Sequence, residues 1–356
     1  MYKKLFIPGP THVRDEILQA MATPMIGHRF KEYADLQAEV TSKVQKLLYT
    51  ENVVFLFTCA SSGVMEGAVR NCVREGRKAL CAINGAFGER WHKMILANGI
   101  EADVVEVEWG KAITPDLVEA KLSSGKYDVL TLTHNETSTG VMNPIYEIAE
   151  VMRKYPDVCW LVDAVSSMAG AKIEVDKLGI DVCIAGVQKA FALPPGLTVC
   201  SVSQKALDRA KEVKHRGWYF DFLLMLKYYH RNQTPATPSI SHLFALNKQM
   251  DDILAEGLEA RFQRHIEMAE FIRDWARRHF ALYADERYLS NTLTTIVNTR
   301  GLSVPELNEA LAEHGAVIGD GYGKLKGQIF RIAHMGDLTM DDMRWLTSLI
   351  EKIWNL

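Results

Sequence analysis

The chain has 356 residues, 48% of them hydrophobic and 24% charged, with a formal net charge of -3 at pH 7. That length fits one large domain with a smaller companion, and the even charge balance excludes an electrostatic attraction to nucleic acid or anionic lipid. No apolar run reaches the roughly 18 residues that span a bilayer, MYKKLFIPGPTHV lacks the apolar centre of a signal peptide, and the six cysteines show no CxxC pair. The expectation is therefore a cytoplasmic enzyme or binding protein without disulfides.

In chain order, strands are predicted at 53–57, 78–83, 102–109, 127–134, 159–165, 181–187 and 197–202, with helical patterns such as 63–73, 114–122 and 143–155 between them. The alternation predicts an α/β fold with a mainly parallel sheet covered by helices on both faces. Beyond residue 240 the texture changes. A long helical region (242–279, broken at Gly257) leads into a strand at 293–299, a helix at 304–315, a strand at 328–335 and a helix at 339–354. The expected organisation is an N-terminal arm over 1–15, a large domain over 16–241 and a smaller α+β domain over 242–356.

Ligands in such sheets sit beyond the carboxyl ends of the strands, and the chemically informative residues follow the strands. CASSGVMEGAV (59–69) is a strand-to-helix transition whose free N–H groups, with Ser61 and Ser62, suit a phosphate; a plain serine N-cap is the alternative. NGAFGER (84–90) sets Phe87 between glycines, where it could stack on a flat ligand or pack between loops. In LTHNETSTGVMNP (132–144), Asn135, Glu136, Thr137 and Ser138 could bond a ligand or cap the next helix. LVDAVSS ends a strand on Asp163, and GVQKAFALPPG carries Lys189 out of another. A lysine there must be paired, neutral or covalently occupied unless it sits on a surface loop. A pyridinium cofactor needs both an amine for a Schiff base and a carboxylate for its ring nitrogen, and these two strand ends could supply them.

Arg331 in QIFRIAHM places a guanidinium among apolar strand residues, so it needs either a substrate carboxylate or a structural partner. His28-Arg29 could meet an anionic substrate group or be structural. GDGYGKLKG (319–327) leads toward a strand instead of opening a helix, which excludes a dinucleotide fingerprint and leaves a mobile loop near the site. The eleven histidines show no ligand spacing, so no metal is expected.

Several motifs recur in one order along nearly the whole chain: PGPT (8–11), MIGHR (25–29), ASSGVMEGA (60–68), NGAFGER, LTHNETSTGV, LVDAVSS, GVQKAFALPPG (186–196), TPATPSISHLFAL (234–246) and FRIAHMG (330–336). With them the chain resembles the class V aminotransferases of the alanine–glyoxylate, serine–glyoxylate and serine–pyruvate group, which are fold type I enzymes of pyridoxal 5'-phosphate. The resemblance implies a seven-stranded, mainly parallel sheet in the large domain and a smaller C-terminal domain. It implies that Lys189 carries the cofactor as a Schiff base, that Asp163 pairs with the ring nitrogen, and that Thr137 lies near the phenolic oxygen. Val165 and Phe87 would flank the ring; Ser61, Ser62 and Gln188 would meet the phosphate. Thr234 and Thr237 belong to the segment that crosses between the subunits of a homodimer, Thr237 reaching the partner's phosphate. Arg331 would grip the substrate carboxylate, with Arg29 a second candidate.

Two positions depart from many relatives: Phe87 stands for a tryptophan and Thr234 for a tyrosine. The implied reaction is ping-pong transamination of a small amino acid, alanine or serine, with glyoxylate or pyruvate. Alternatives are an anionic donor such as phosphoserine or 2-aminoethylphosphonate, and a cysteine desulfurase-like lyase. Against the lyase, Gln188 and Phe87 occupy positions where those enzymes have histidines, and no cysteine lies on a suitable loop. A non-catalytic binding protein would not need the lysine, aspartate and arginine together.

Overall fold

The computed structural model describes residues 3–356. In chain order its strands are β1 (Lys4–Phe6), β2 (Val53–Phe57), β3 (Lys78–Ile83), β4 (Glu101–Glu106), β5 (Tyr127–Thr133), the short hairpin β6 (Asn135–Glu136) and β7 (Val141–Met142), β8 (Cys159–Asp163), β9 (Val182–Gly186), β10 (Thr198–Val202), β11 (Ala281–Leu282), β12 (Leu293–Val297), β13 (Ala316–Asp320) and β14 (Ile329–Ala333). Seven of them form the larger sheet, in the order β2-β10-β9-β8-β5-β3-β4.

Only β10 runs against its neighbours. The reason is the length of its connection. Residues 187–197 are too few for a crossover helix, so the chain turns back beside β9, closed by Val187 N–H to Leu197 O at 3.1 Å. The other six strands point their carboxyl ends to one edge. Alternate residues of these strands enter opposite cores: Leu130, Leu132, Trp160 and Val162 on one face, Val129, Cys159, Leu161 and Ile184 on the other. Burial on both faces is why the strands read as near-continuous apolar runs.

The second sheet has the order β1-β13-β14-β12-β11. Phe6, Ile296, Ile318, Phe330 and Ile332 pack there with Met268, Ile272 and Trp275 of helix Leu258–His279 and Leu346 and Ile350 of helix Met340–Trp354. The break foreseen at Gly257 is present, with φ at +87°. Helix Ile240–Glu256, before it, buries Leu243, Leu246, Met250 and Ile253 in a core of the larger sheet. We accordingly place the limit between the two units at Gly257 and count β1 with the smaller one, a division that differs from limits at residues 15 and 242.

Candidate active site

Lys189 lies in the tight β9–β10 connection, at the carboxyl end of β9. Thr11 spans this connection from the N-terminal segment: its N–H donates to Gln188 O at 3.0 Å and its hydroxyl to Lys189 O at 2.9 Å. That clamp brings Pro8 and Gly9 over the side chain, and Lys189 Nζ donates to Pro8 O. Gly9 has φ +128°, a conformation that requires glycine, and a Cβ there would stand 2.5 Å from Nζ and push the lysine side chain aside. Burial lowers the Lys189 pKa to about 8, Arg331 pushes the same way, and Asp163 opposes. A neutral amine is then accessible near pH 8, as nucleophilic or proton-transfer chemistry needs.

Asp163 closes β8 in register with Ile184 of β9, one strand away. Its Oδ1 accepts the Val165 N–H at 2.9 Å. Burial raises its pKa to about 6; Glu136 adds to the rise, while Arg90 and Lys189 oppose it. Among the described residues no cation lies within ion-pair distance of this buried carboxylate. Burying such a group without a counter-charge is costly, so the site is complementary to a cationic N–H donor.

Ser61 opens helix Ser61–Cys72, which follows β2, but the N-cap is Ala60 and no side chain caps the first turn. The plain serine N-cap is therefore not what the chain forms. Gly186 lets two polar groups converge here: a Cβ on it would lie 2.6 Å from Ser61 Oγ and 2.4 Å from Gln188 Oε1. Ser62 Oγ accepts a hydrogen bond from Arg90 Nη1 at 3.2 Å. Free helix N–H groups, two hydroxyls, an amide and a guanidinium at the end of β2 are groups that could hold an anion.

Phe87 belongs to helix Ala86–Ala97 after β3. The start of that helix is held by Glu136, whose Oε2 accepts the N–H groups of Phe87 at 3.0 Å and Gly88 at 3.2 Å, while Oε1 accepts from Ser138 Oγ at 2.6 Å. Glu136 thus takes the capping role, and burial raises its pKa. The Phe87 ring stacks on Tyr322 at 5.7 Å between centroids, and Arg90 lies over it at 4.6 Å. Thr137 Oγ1 is 2.6 Å from Ser166 Oγ, and half-buried Val165 stands two residues after Asp163.

Arg331, in β14, enters from the smaller unit. Its Nε donates to Asp320 O at 2.8 Å and Nη1 to Thr137 O at 3.2 Å. It is buried, and no carboxylate lies within ion-pair distance among the described residues. Burial lowers its pKa to about 10, against the pull of Asp320, Tyr322 and Glu136. A structural salt bridge, the competing explanation for this arginine, is not what the structure contains.

The fold thus gathers Ser61, Ser62, Phe87, Thr137, Asp163, Val165, Gln188, Lys189 and Arg331 at one edge of the sheet. It does not bring Arg29, Thr234 or Thr237 to Lys189 within one chain. Arg29 donates to Thr234 O at 2.6 Å and Pro235 O at 3.1 Å, and Thr234 and Thr237 line a separate hollow with Trp218 and Tyr219. Sequence reasoning passed over Arg90, Tyr322 and Ser166. Arg90 stands three residues after Phe87, the helical spacing that puts both on one face, and was the most findable of the three.

A family model described as aminotransferase class-V matches residues 10–324. An aminotransferase of Methanocaldococcus jannaschii is 41% identical, with 94% of this chain and 88% of that protein covered. The L-aspartate–glyoxylate aminotransferase of Paracoccus denitrificans is 34% identical over 94% of this chain and 87% of its own length. Among solved structures, the alanine–glyoxylate aminotransferase of Nostoc sp. superposes with a TM-score of 0.94 at 27% identity, covering 99% of this chain and 96% of that one.

Proposed function

This chain belongs to the class V aminotransferases, and on that premise we propose that it moves the amino group of a small amino acid, alanine or serine, to glyoxylate or pyruvate in a ping-pong cycle. The enzyme uses pyridoxal 5'-phosphate, which when bound supplies an electron sink at the donor Cα and carries the amino group between half-reactions. The residues fit that group by their chemistry. Lys189 offers an amine of depressed basicity, Asp163 a buried carboxylate without a counter-ion, and the helix start at Ser61 an anion site shared with Ser62 and Gln188. Phe87 and Val165 would flank the ring, and the Thr137 hydroxyl would lie beside its oxygen.

In the reaction, the Lys189 amine would act as the base that takes the proton from the donor Cα and as the acid that returns it. Burial in the cofactor-free site already lowers the basicity of this amine. Asp163 holds a proton on the ring nitrogen. Arg331 binds the α-carboxylate of donor and acceptor in turn, its fork aimed by the carbonyls of Asp320 and Thr137. The helices after β2 and β3 carry the anion site and the stacking ring. We place the enzyme in the cytoplasm; no helix among the described residues is long and apolar enough to cross a membrane. A desulfurase-like reading is disfavoured by the thiols: the half-buried Cys59 is pushed up to about 11 by burial, and the other five cysteines are buried.

The observation that carries this reading is Arg331, a buried guanidinium without a carboxylate, beside a lysine of lowered pKa. Two variants test it together. Lys189→Ala should abolish turnover with the fold retained. Arg331→Lys keeps the charge but loses the fork, and should lower kcat/KM of both half-reactions by roughly one to two decades. Reduced melting temperature with unaltered kinetics in Arg331→Lys would return that arginine to the scaffold.

A further inference from the structure

The β6–β7 hairpin and the turn after β8 set two hydroxyls against each other with no third partner. Thr137 Oγ1 and Ser166 Oγ are 2.6 Å apart, and both side chains are buried. Among the described residues neither oxygen makes another hydrogen bond. Two hydroxyls carry two protons and the bond between them uses one, so a second O–H is left without an acceptor inside the chain. A buried donor left unmade is costly, which marks that proton as one held for a ligand.

The backbone bonds of the two residues separate their roles. The Ser166 carbonyl accepts Thr292 Oγ1 at 2.6 Å and Asn135 Nδ2 at 3.4 Å, and Asn135 Nδ2 also reaches Thr292 Oγ1 at 3.2 Å. Thr292 belongs to the smaller unit, so Ser166 is pinned where the two units meet. The Thr137 carbonyl instead accepts Arg331 Nη1 at 3.2 Å. Thr137 is thus the member that touches the substrate-binding guanidinium, and Ser166 the member behind it. The charged groups around the pair are bonded elsewhere. Glu136 accepts the N–H groups of Phe87 and Gly88 and the Ser138 hydroxyl, and Asp163, three residues before Ser166, accepts the Val165 N–H. None of them competes for either hydroxyl.

We propose, resting on the transaminase reading above, that Ser166 is a positioning residue: it donates its proton to Thr137 Oγ1 and so turns the Thr137 O–H toward the ring oxygen of the bound cofactor. In a chain of hydrogen bonds each polarises the next, so a Thr137 hydroxyl that accepts from Ser166 is a stronger donor than one that does not. Within the cofactor, the anionic ring oxygen adjoins the nitrogen that joins it to Lys189. A donor on the oxygen weakens its hold on that nitrogen's proton, and the nitrogen then releases the proton at lower pH.

That proton is read without turnover, by titrating the visible absorbance of the cofactor-loaded enzyme against pH in the absence of substrate. The parent is compared with Ser166→Ala, Thr137→Val and the double variant. Ser166→Ala should raise the midpoint by at least about 0.3 pH unit, and Thr137→Val should raise it further. The double variant should match Thr137→Val, because Ser166 acts only through the Thr137 oxygen. A parental midpoint in either single variant would overturn the assignment while leaving the transaminase intact. So would a Ser166→Ala shift that persists in full on the Thr137→Val background, since the serine would then act through packing. A midpoint that falls in Ser166→Ala would mean that Thr137 donates to Ser166, and overturns the proposed order equally. A parent that takes up no pyridoxal phosphate would instead overturn the transaminase reading itself.

Discussion

Asp163 and Lys189 are perturbed in opposite senses by one cause, the dry end of a sheet, and the shifts have consequences that can be measured without substrate. The Asp163 carboxyl titrates near 6 in the folded chain against an ordinary value of 3.8. Between those values the folded chain holds a proton that the unfolded chain has released, so stability of the cofactor-free protein falls as pH rises through this window. Above pH 6 the full cost of an ionised, buried carboxylate is present. Asp163→Asn keeps the shape and can still accept the Val165 N–H, but removes that cost. The cofactor-free variant should therefore be more stable than the parent at pH 7.5, by up to about 3 kcal/mol, with the gain fading toward pH 4. Urea midpoints at the two pH values measure it. Turnover should move the other way, falling by at least about a hundredfold, because asparagine cannot hold a charge-balanced proton on the ring nitrogen. An asparagine variant with parental stability at both pH values and parental kinetics would make Asp163 a turn residue.

At the scale of elements, the strands of the larger sheet and the break at Gly257 were legible because burial on both faces writes apolar runs and helix ends write glycines. Helix Ala86–Ala97 was not: Gly85 and Gly88 punctuate NGAFGER as a loop would, and both glycines answer to close approaches instead. A Cβ on Gly85 would meet the Glu136 side chain at 2.3 Å, and one on Gly88 would meet Ala82 O at 2.7 Å and Ile83 Cα at 2.9 Å. Such approaches join residues far apart in sequence and leave no periodic trace. The same applies to β13, a short strand followed at once by the glycine-rich loop, and to Tyr322, which meets Phe87 across more than two hundred residues. Lys189, Asp163 and Arg331 stood out because each is a charge in an apolar frame; Arg90 lies on an amphipathic helix where charges are ordinary. The Gly88 contact yields a prediction at this scale. Both atoms it would strike are backbone of β3, which cannot yield, so Gly88→Ala must displace the helix and Phe87 with it. We expect destabilisation of about 1–3 kcal/mol by denaturant titration, together with weaker cofactor retention. Retention equal to the parent's would show that Phe87 does not set the ring's position.

On the scale of the whole molecule, large apolar side chains lie exposed around the 234–238 segment. Phe30 is 67% exposed and adjoins Arg29, which is bonded to Thr234 and Pro235; Trp218, 61% exposed, lines the hollow that Thr234 and Thr237 share. Large exposed apolar rings beside one segment are what a covered surface would need, and a stable homodimer buries on the order of 2,000 Å² or more. We propose that this face is the contact of a homodimer, one that would bring Thr237, which stands apart from Lys189 in a single chain, to the partner's phosphate site. Trp218 is the place to test it, because its exposure means that substitution should leave the isolated fold unchanged. Trp218→Glu sets a charge, and its partner's equal charge, into a contact that a twofold axis repeats. Light scattering should report a dimer for the parent and a monomer for the variant, with circular dichroism unaltered. If the site is shared, the monomer should also lose pyridoxal phosphate on dialysis and lose activity with it. A monomeric variant that keeps both cofactor and turnover would show that each chain completes its own site.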